Sequence, residues 1–165
     1  MTLRDDILAD RACDAAYAAR DCTELARIRS VGRVKRVSKT VTERGVRSIL
    51  PIAAGSQFIR LLKEAEETVG VPAWLAGALS AMGIQSAAHQ DYADAVASAY
   101  GWLRQDSGID ISATATRGML DIIAASNPAK FGATVATIKA LADQSDPYTA
   151  QDVADAAFNA DGSAK

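Results

Sequence analysis

The stretch GSQFIRLLKEAEETV, residues 55–69, sets Phe58, Ile59, Leu61, Leu62, Ala65 and Val69 on one side of a 3.6-residue period. Arg60, Lys63, Glu64, Glu66 and Glu67 cover the remainder. One apolar stripe beneath a charged surface is an amphipathic helix laid on a core. The flanking segments repeat the theme. Gly70 and Pro72 separate this helix from PAWLAGALSAM, where proline suits the first helical position and Gly83 suits a helix end. From about Ser86 to Gln105, Ala88, Tyr92, Ala95, Val96, Ala99 and Leu103 share a face, with Tyr100 and Trp102 beside it. DSGID, residues 106–110, breaks that pattern, and Ser112 begins a helix carrying Met119, Leu120, Ile122 and Ile123. SNP at 126–128 turns the chain into another helix, with Phe131, Val135, Ile138 and Leu141 on one side, ended by Asp146 and Pro147. Thr149 and Asp152 have capping-box spacing ahead of Val153, Ala156, Ala157 and Phe158, and DGSAK at 161–165 reads as a frayed tail.

Toward the N-terminus, Thr42 caps a short helical turn that runs to Leu50 and stops at Pro51. Thr2 and Asp5 cap a first helix with Leu3, Ile7, Leu8, Ala12, Ala15 and Ala18 at mostly helical spacings. Asp21 and Thr23 are candidate caps for a second, ELARIRS at 24–30, ending at Gly32. Between Gly32 and Thr42, RVKRVSKTVT crowds β-branched residues together while Val34, Val37 and Val41 recur at spacings of three and four. Loop, short strand and helix all remain open there. The expectation is an all-α fold, a compact bundle of six or seven short helices forming a single domain over 1–160, with an irregular basic segment near 30–42. No repeat with a solenoid period emerges.

A chain of 165 residues suffices for one core. Aromatics are only 5% and prolines four, which together with abundant alanine favours packed helices over sheets. Arg4, Asp5, Asp6 and Asp10 occupy the place of an apolar signal region, and VGVPAWLAGALSAMGI at 69–84 is too short and glycine-rich to cross a bilayer. Synthesis in the cytoplasm and no membrane partner are therefore expected. Cys13 and Cys22, if on one helix, face opposite ways roughly 13 Å apart, beyond disulfide reach. Buried thiols, or a link to another segment or chain, are the open readings.

Catalytic equipment is thin. His89 is the sole histidine, set beside an apolar stripe, and reads as a surface or boundary residue. Phosphate-loop, dinucleotide, HExxH, paired CxxC and GxSxG patterns do not occur. Glu64, Glu66, Glu67, Asp91 and Asp94 lie opposite the apolar stripes and read as a solvated face. The expectation is a protein without enzymatic activity, cofactor or metal.

Charge carries more information. Arg27, Arg29, Arg33, Lys35, Arg36, Lys39, Arg44 and Arg47 face one acid, Glu43, so eight of eighteen bases fall between residues 27 and 47. Elsewhere ten bases meet nineteen acids. Such a run neutralises phosphates in nucleic-acid binding, although no aromatic lies between Tyr17 and Phe58 to stack on bases. It equally suits an acidic protein surface, including a neighbouring copy of the chain, and a solvated basic loop is the plain alternative. VPAWLAGALSAMG is read either as a buried central helix or, through Trp74 and Leu75, as an interface.

SVGRV at 30–34, LRQDSGIDI at 103–111, ATRGMLDII at 115–123 and IKALADQSDPYTAQDV at 138–153 together resemble a family of small helical proteins encoded among the structural and tail genes of tailed bacteriophages and prophages. The resemblance runs from about residue 5 to residue 158, and VGVPAWLAGALSAMGIQSAA departs from it. It implies a virion-associated structural or assembly role, in the tail or neck region, exercised in multiple copies through contacts with itself and other phage structural proteins. Under it the basic run becomes a docking element for an acidic neighbour or for DNA. A nucleic-acid-binding accessory protein and an inhibitor of a host enzyme are the other roles open to such a chain.

Overall fold

A computed structural model of the chain describes residues 2–159 and 163–164. The fold is mostly α-helical, as read from the sequence, but its helices are shorter and more numerous. Among the described residues there are ten α-helices, two 3₁₀ turns and four short strands. The expected first helix shows why. Asp10 ends α1 (Leu3–Ala9), and its carboxylate accepts from Ala12 N at 3.0 Å to start the 3₁₀ turn Arg11–Cys13, after which α2 (Asp14–Ala18) begins afresh. One periodic stretch thus becomes three pieces.

The sequence reads as one helical domain over 1–160, whereas the structure divides the chain into two compact units, Met1–Lys35 with Gln144–Lys165, and Arg36–Asp143. The chain passes from one to the other within β1 (Val34–Arg36) and back within β4 (Asp143–Ser145), two strands that pair with each other. The basic segment left open by the sequence is therefore extended backbone, continued by β2 (Thr40–Val41).

The first unit holds α1, α2, α3 (Cys22–Arg29) and α10 (Ala150–Ala157), with α10 packed on α3 and α1. Ile7, Cys13, Leu25, Val153 and Ala157 are fully buried, and the ring of Phe158 stacks on that of Tyr17 with centroids 5.2 Å apart. Capping boxes at Thr2/Asp5 and Thr149/Asp152 are both formed, and Asp21 caps α3 by accepting from Glu24 N. Cys13 and Cys22 are free thiols on different elements, and burial pushes the Cys13 thiol up. Of the tail at 161–165, all but Ser163 and Ala164 lies outside the described residues; Ala164 bridges to Phe158.

The second unit is built from α4 (Glu43–Ile49), α5 (Ile52–Glu67), α6 (Ala73–Ala81), α7 (His89–Leu103), α8 (Thr114–Ser126) and α9 (Pro128–Ala140), with α5 on α7, α8 on α9 and α6 on α8. Phe58, Ile59, Leu62 and Ala65 are buried as the stripe requires, but α5 ends at Glu67 and leaves Val69 outside it, fully exposed. α6 buries one face, with Leu75 and Leu79 wholly enclosed and Ala78 buried beside them, while Ala73, Gly77, Ser80 and Ala81 are exposed. On α7 the buried face is His89, Ala93, Val96, Ala99, Tyr100 and Leu103. It is rotated from the expected one, so Tyr92 and Ala95 face outward. His89 is accordingly not a surface residue: it is buried, with Nε2 3.1 Å from the Ile84 carbonyl.

β2 pairs antiparallel with β3 (Ile109–Asp110), in the register Thr40 with Asp110 and Val41 with Ile109. Asp110 fastens this corner. Its Oδ1 accepts from Ser112 Oγ at 2.7 Å, Ser112 N at 2.9 Å and Lys39 N at 3.2 Å, while Oδ2 accepts from Ser38 Oγ at 3.2 Å. Ser112 is thereby turned back to Asp110, and α8 starts two residues later than the sequence suggests. These bonds, those from Ser112 foremost, hold the Asp110 carboxyl down to about 2 from its ordinary 3.8. A depressed carboxyl stabilises the folded state fully above its unfolded value and loses that contribution as pH falls toward the folded value. Asp110→Asn is therefore expected to melt below the wild-type protein near neutrality, with the gap closing between about pH 4 and pH 2 in thermal unfolding followed by circular dichroism.

Candidate partner-binding surface

The structure divides the basic run between the two units and treats its halves differently. Arg27, Arg29, Arg33 and Lys35 belong to the first unit, where each meets a carboxylate. Arg27 is exposed and forked onto Glu24 one turn earlier on α3, at 2.7 and 2.6 Å. Its hydrogen bonds hold the Glu24 carboxyl below the usual range. Arg29 reaches back to Asp10 at 2.8 Å, with Asp6 at 3.9 Å. Arg33 donates to the Asp146 carboxylate at 2.8 Å and to the Asp146 carbonyl at 2.7 Å, with its guanidinium 3.8 Å from the Tyr148 ring centroid. Lys35 stands 3.6 Å from the same carboxylate. Backbone, carboxylate and ring together fix Arg33 in the fold, and its planar fork explains why arginine stands there.

Arg36, Lys39, Arg44 and Arg47 belong to the second unit. Arg36, Lys39 and Arg44 are exposed, and their side chains make no ion pair among the described residues. Arg47 pairs with Glu43 one turn away on α4, at 2.8 Å. Two hollows adjoin here. One, of about 450 Å³, is lined by Arg44, Arg47 and Arg104, together with Glu43 and Asp106. The other, of about 460 Å³, is lined by Arg47, Arg60, Lys63 and Arg104 over Ser56 and Tyr100, and by no acid. Arg47 and Arg104 stand on both, so the hollows form one trough edged by five cations.

Three of those cations lie outside the run. Arg60 and Lys63 are three residues apart on the outer face of α5, and Arg104 directly follows α7. Lys63 pairs with Glu67 at 3.2 Å and Arg104 with Glu66 at 3.8 Å, while Arg60 makes no ion pair among the described residues. Sequence reading placed Arg60 and Lys63 on a solvated face and gave Arg104 no role, and the i, i+3 spacing of Arg60 and Lys63 was the available signal. Packing of α5 on α7 brings Arg104 beside them.

The acids Glu64, Glu66, Glu67, Asp91 and Asp94 form no metal-binding group, and among the described residues no cluster of three such ligands occurs. A narrow apolar hollow in the second unit measures only about 20 Å³, room for about one water, and is walled by Val41, Phe58, Leu62, Leu120 and Ile138. Among the described residues no helix is long and apolar enough to cross a membrane.

Compared with protein-family models, curated proteins and solved structures, the chain finds no match.

Proposed function

We propose that this protein is a non-catalytic, virion-associated structural or assembly accessory protein of a tailed bacteriophage, acting in the tail or neck region through protein–protein contacts in many copies. The observation that carries the reading is the open trough of five cations on the second unit, a broad and shallow surface suited to docking. The four segments that resemble phage structural-module proteins supply the setting. The chain's one imidazole, His89, is engaged with the Ile84 carbonyl and lies outside the trough.

Mass spectrometry of washed, purified particles tests the proposal. The chain is expected at many copies per particle, and its absence from infective particles would remove the virion role. A nucleic-acid-binding accessory role is the second reading, favoured by the exposed Arg36, Lys39 and Arg44, of which Arg44 lines the trough. It expects binding to duplex DNA whose logarithm falls with that of salt, at a slope of about −0.9 per neutralised phosphate.

A further inference from the structure

We infer that the acid-free hollow formed by α4, α5 and the end of α7 is a binding site for a small diphosphate-class anion. The inference goes beyond the docking role proposed above and does not rest on it. At about 460 Å³ the hollow falls within the range of small-ligand sites, about 300–1,000 Å³. Three elements supply its polar lining. Ser56, Arg60 and Lys63 stand at i, i+4 and i+7 on one face of α5. Tyr100 and Arg104 lie one turn apart where α7 ends, with the Arg104 guanidinium 5.6 Å from the centre of the Tyr100 ring, and Arg47 comes from α4.

Every polar side chain lining this hollow carries a donor, and none is a carboxylate. Much of that capacity is unused. The side chains of Arg60 and Arg104 make no hydrogen bond among the described residues, and Glu66 stands 3.8 Å from Arg104, beyond hydrogen-bond reach. Arg47 and Lys63 are held by Glu43 and Glu67, neither of which lines the hollow, and exposed pairs of that kind are weak. Tyr100 is only 6% exposed, yet its hydroxyl makes no hydrogen bond among the described residues. Unlike the indole nitrogen of Trp74, that hydroxyl is not sealed from solvent, and of the three hollows described above Tyr100 lines this one alone. A largely buried hydroxyl left open to one hollow calls for a partner there.

The occupant follows from this inventory. Donors and positive charge require acceptor oxygens and negative charge, and guanidinium forks match phosphate closely. A diphosphate gathers several oxygens and more than one charge into a compact group, with acceptors enough for Arg60, Arg104 and the Tyr100 hydroxyl. A dicarboxylate has fewer oxygens and lays a hydrocarbon spacer among the same cations. A nucleic-acid backbone calls instead for a row of cations along successive phosphates, and the exposed Arg36 and Lys39 line neither cationic hollow.

Isothermal titration calorimetry of the full chain with inorganic diphosphate, at about 150 mM salt, tests the site. One diphosphate per chain is expected, with succinate bound at least about tenfold more weakly. Arg60→Gln with Arg104→Gln should weaken diphosphate binding by at least about tenfold. Tyr100→Phe should weaken it by about threefold, since it removes one neutral hydrogen bond and keeps the ring. Arg36→Gln with Lys39→Gln, outside the hollow, should leave binding unchanged. Circular dichroism checks folding, and Arg60→Gln alone serves should the double variant misfold. A wild-type protein that takes up no diphosphate overturns the inference, as does succinate binding of equal strength. So does binding indifferent to the Arg60 and Arg104 change or to loss of the Tyr100 hydroxyl, and so does an equal loss on changing Arg36 and Lys39. Duplex DNA that binds through Arg60 and Arg104 while diphosphate does not bind overturns it in favour of the nucleic-acid reading. Because the virion role is read from purified particles and this site from the isolated chain, either fails without the other.

Discussion

Replacing Gly108 with alanine is expected to destabilise the second unit by about 3 kcal/mol, which combines the backbone penalty with the overpacking penalty. Gly108 has φ +66°, a conformation that costs any residue with a Cβ. It also lies directly against β2: an added Cβ would stand 2.4 Å from the Val41 carbonyl oxygen and 2.8 Å from its carbon. Both atoms are backbone, so no side-chain rotation relieves the clash, and the β2–β3 pair must part. Equilibrium denaturation by urea checks the figure. Gly83, also at positive φ (+77°) but with nothing within 4 Å of its would-be Cβ, is the control, and its alanine variant should lose about 1 kcal/mol, the backbone share alone.

Leu79→Ala is the second large effect. Leu79 is wholly enclosed on α6, and truncation there removes apolar contacts and leaves a cavity, for an expected loss of about 3 to 4 kcal/mol. Val69→Ala should change stability by less than about 0.5 kcal/mol, because Val69 is fully exposed beyond the end of α5. The pair discriminates between the stripe written in the sequence, to which Val69 belongs, and the packing of the folded chain, to which it does not. Denaturation midpoints of the two variants under the same conditions provide the measurement.

What was legible in the sequence was local. Phe58, Ile59, Leu62 and Ala65 announce α5 because three large apolar groups and an alanine at helical spacing have one common face to bury. Thr149 and Asp152 announce α10 because a capping box needs only residues three apart. Alanine-rich stretches are weaker guides. Along α7 small residues occur on several sides, so the stripe drawn through Tyr92 and Ala95 competed with the one through His89, Ala93 and Tyr100 that packing selects. What was not legible depends on distant partners. Arg33 and Asp146 are 113 residues apart in sequence, and adjacency of Arg33 to Arg36 and Lys39 hid the fact that one is fastened within the fold while the others are exposed. Arg104 joins Arg60 and Lys63 only because α7 lies on α5. The division into two units was hidden for the same reason, since the first is assembled from both ends of the chain.

That assembly sets an order of events during translation. Arg36–Asp143 leaves the ribosome as one uninterrupted stretch and has all its packing partners once α9 has emerged. α1 and α3 are made before that unit yet wait until after it, because the helix that covers them, α10, follows α9 in the chain. While the second unit is being made, Ile7 and Leu25 thus lack Val153, and helices synthesised ahead of that unit mature behind it.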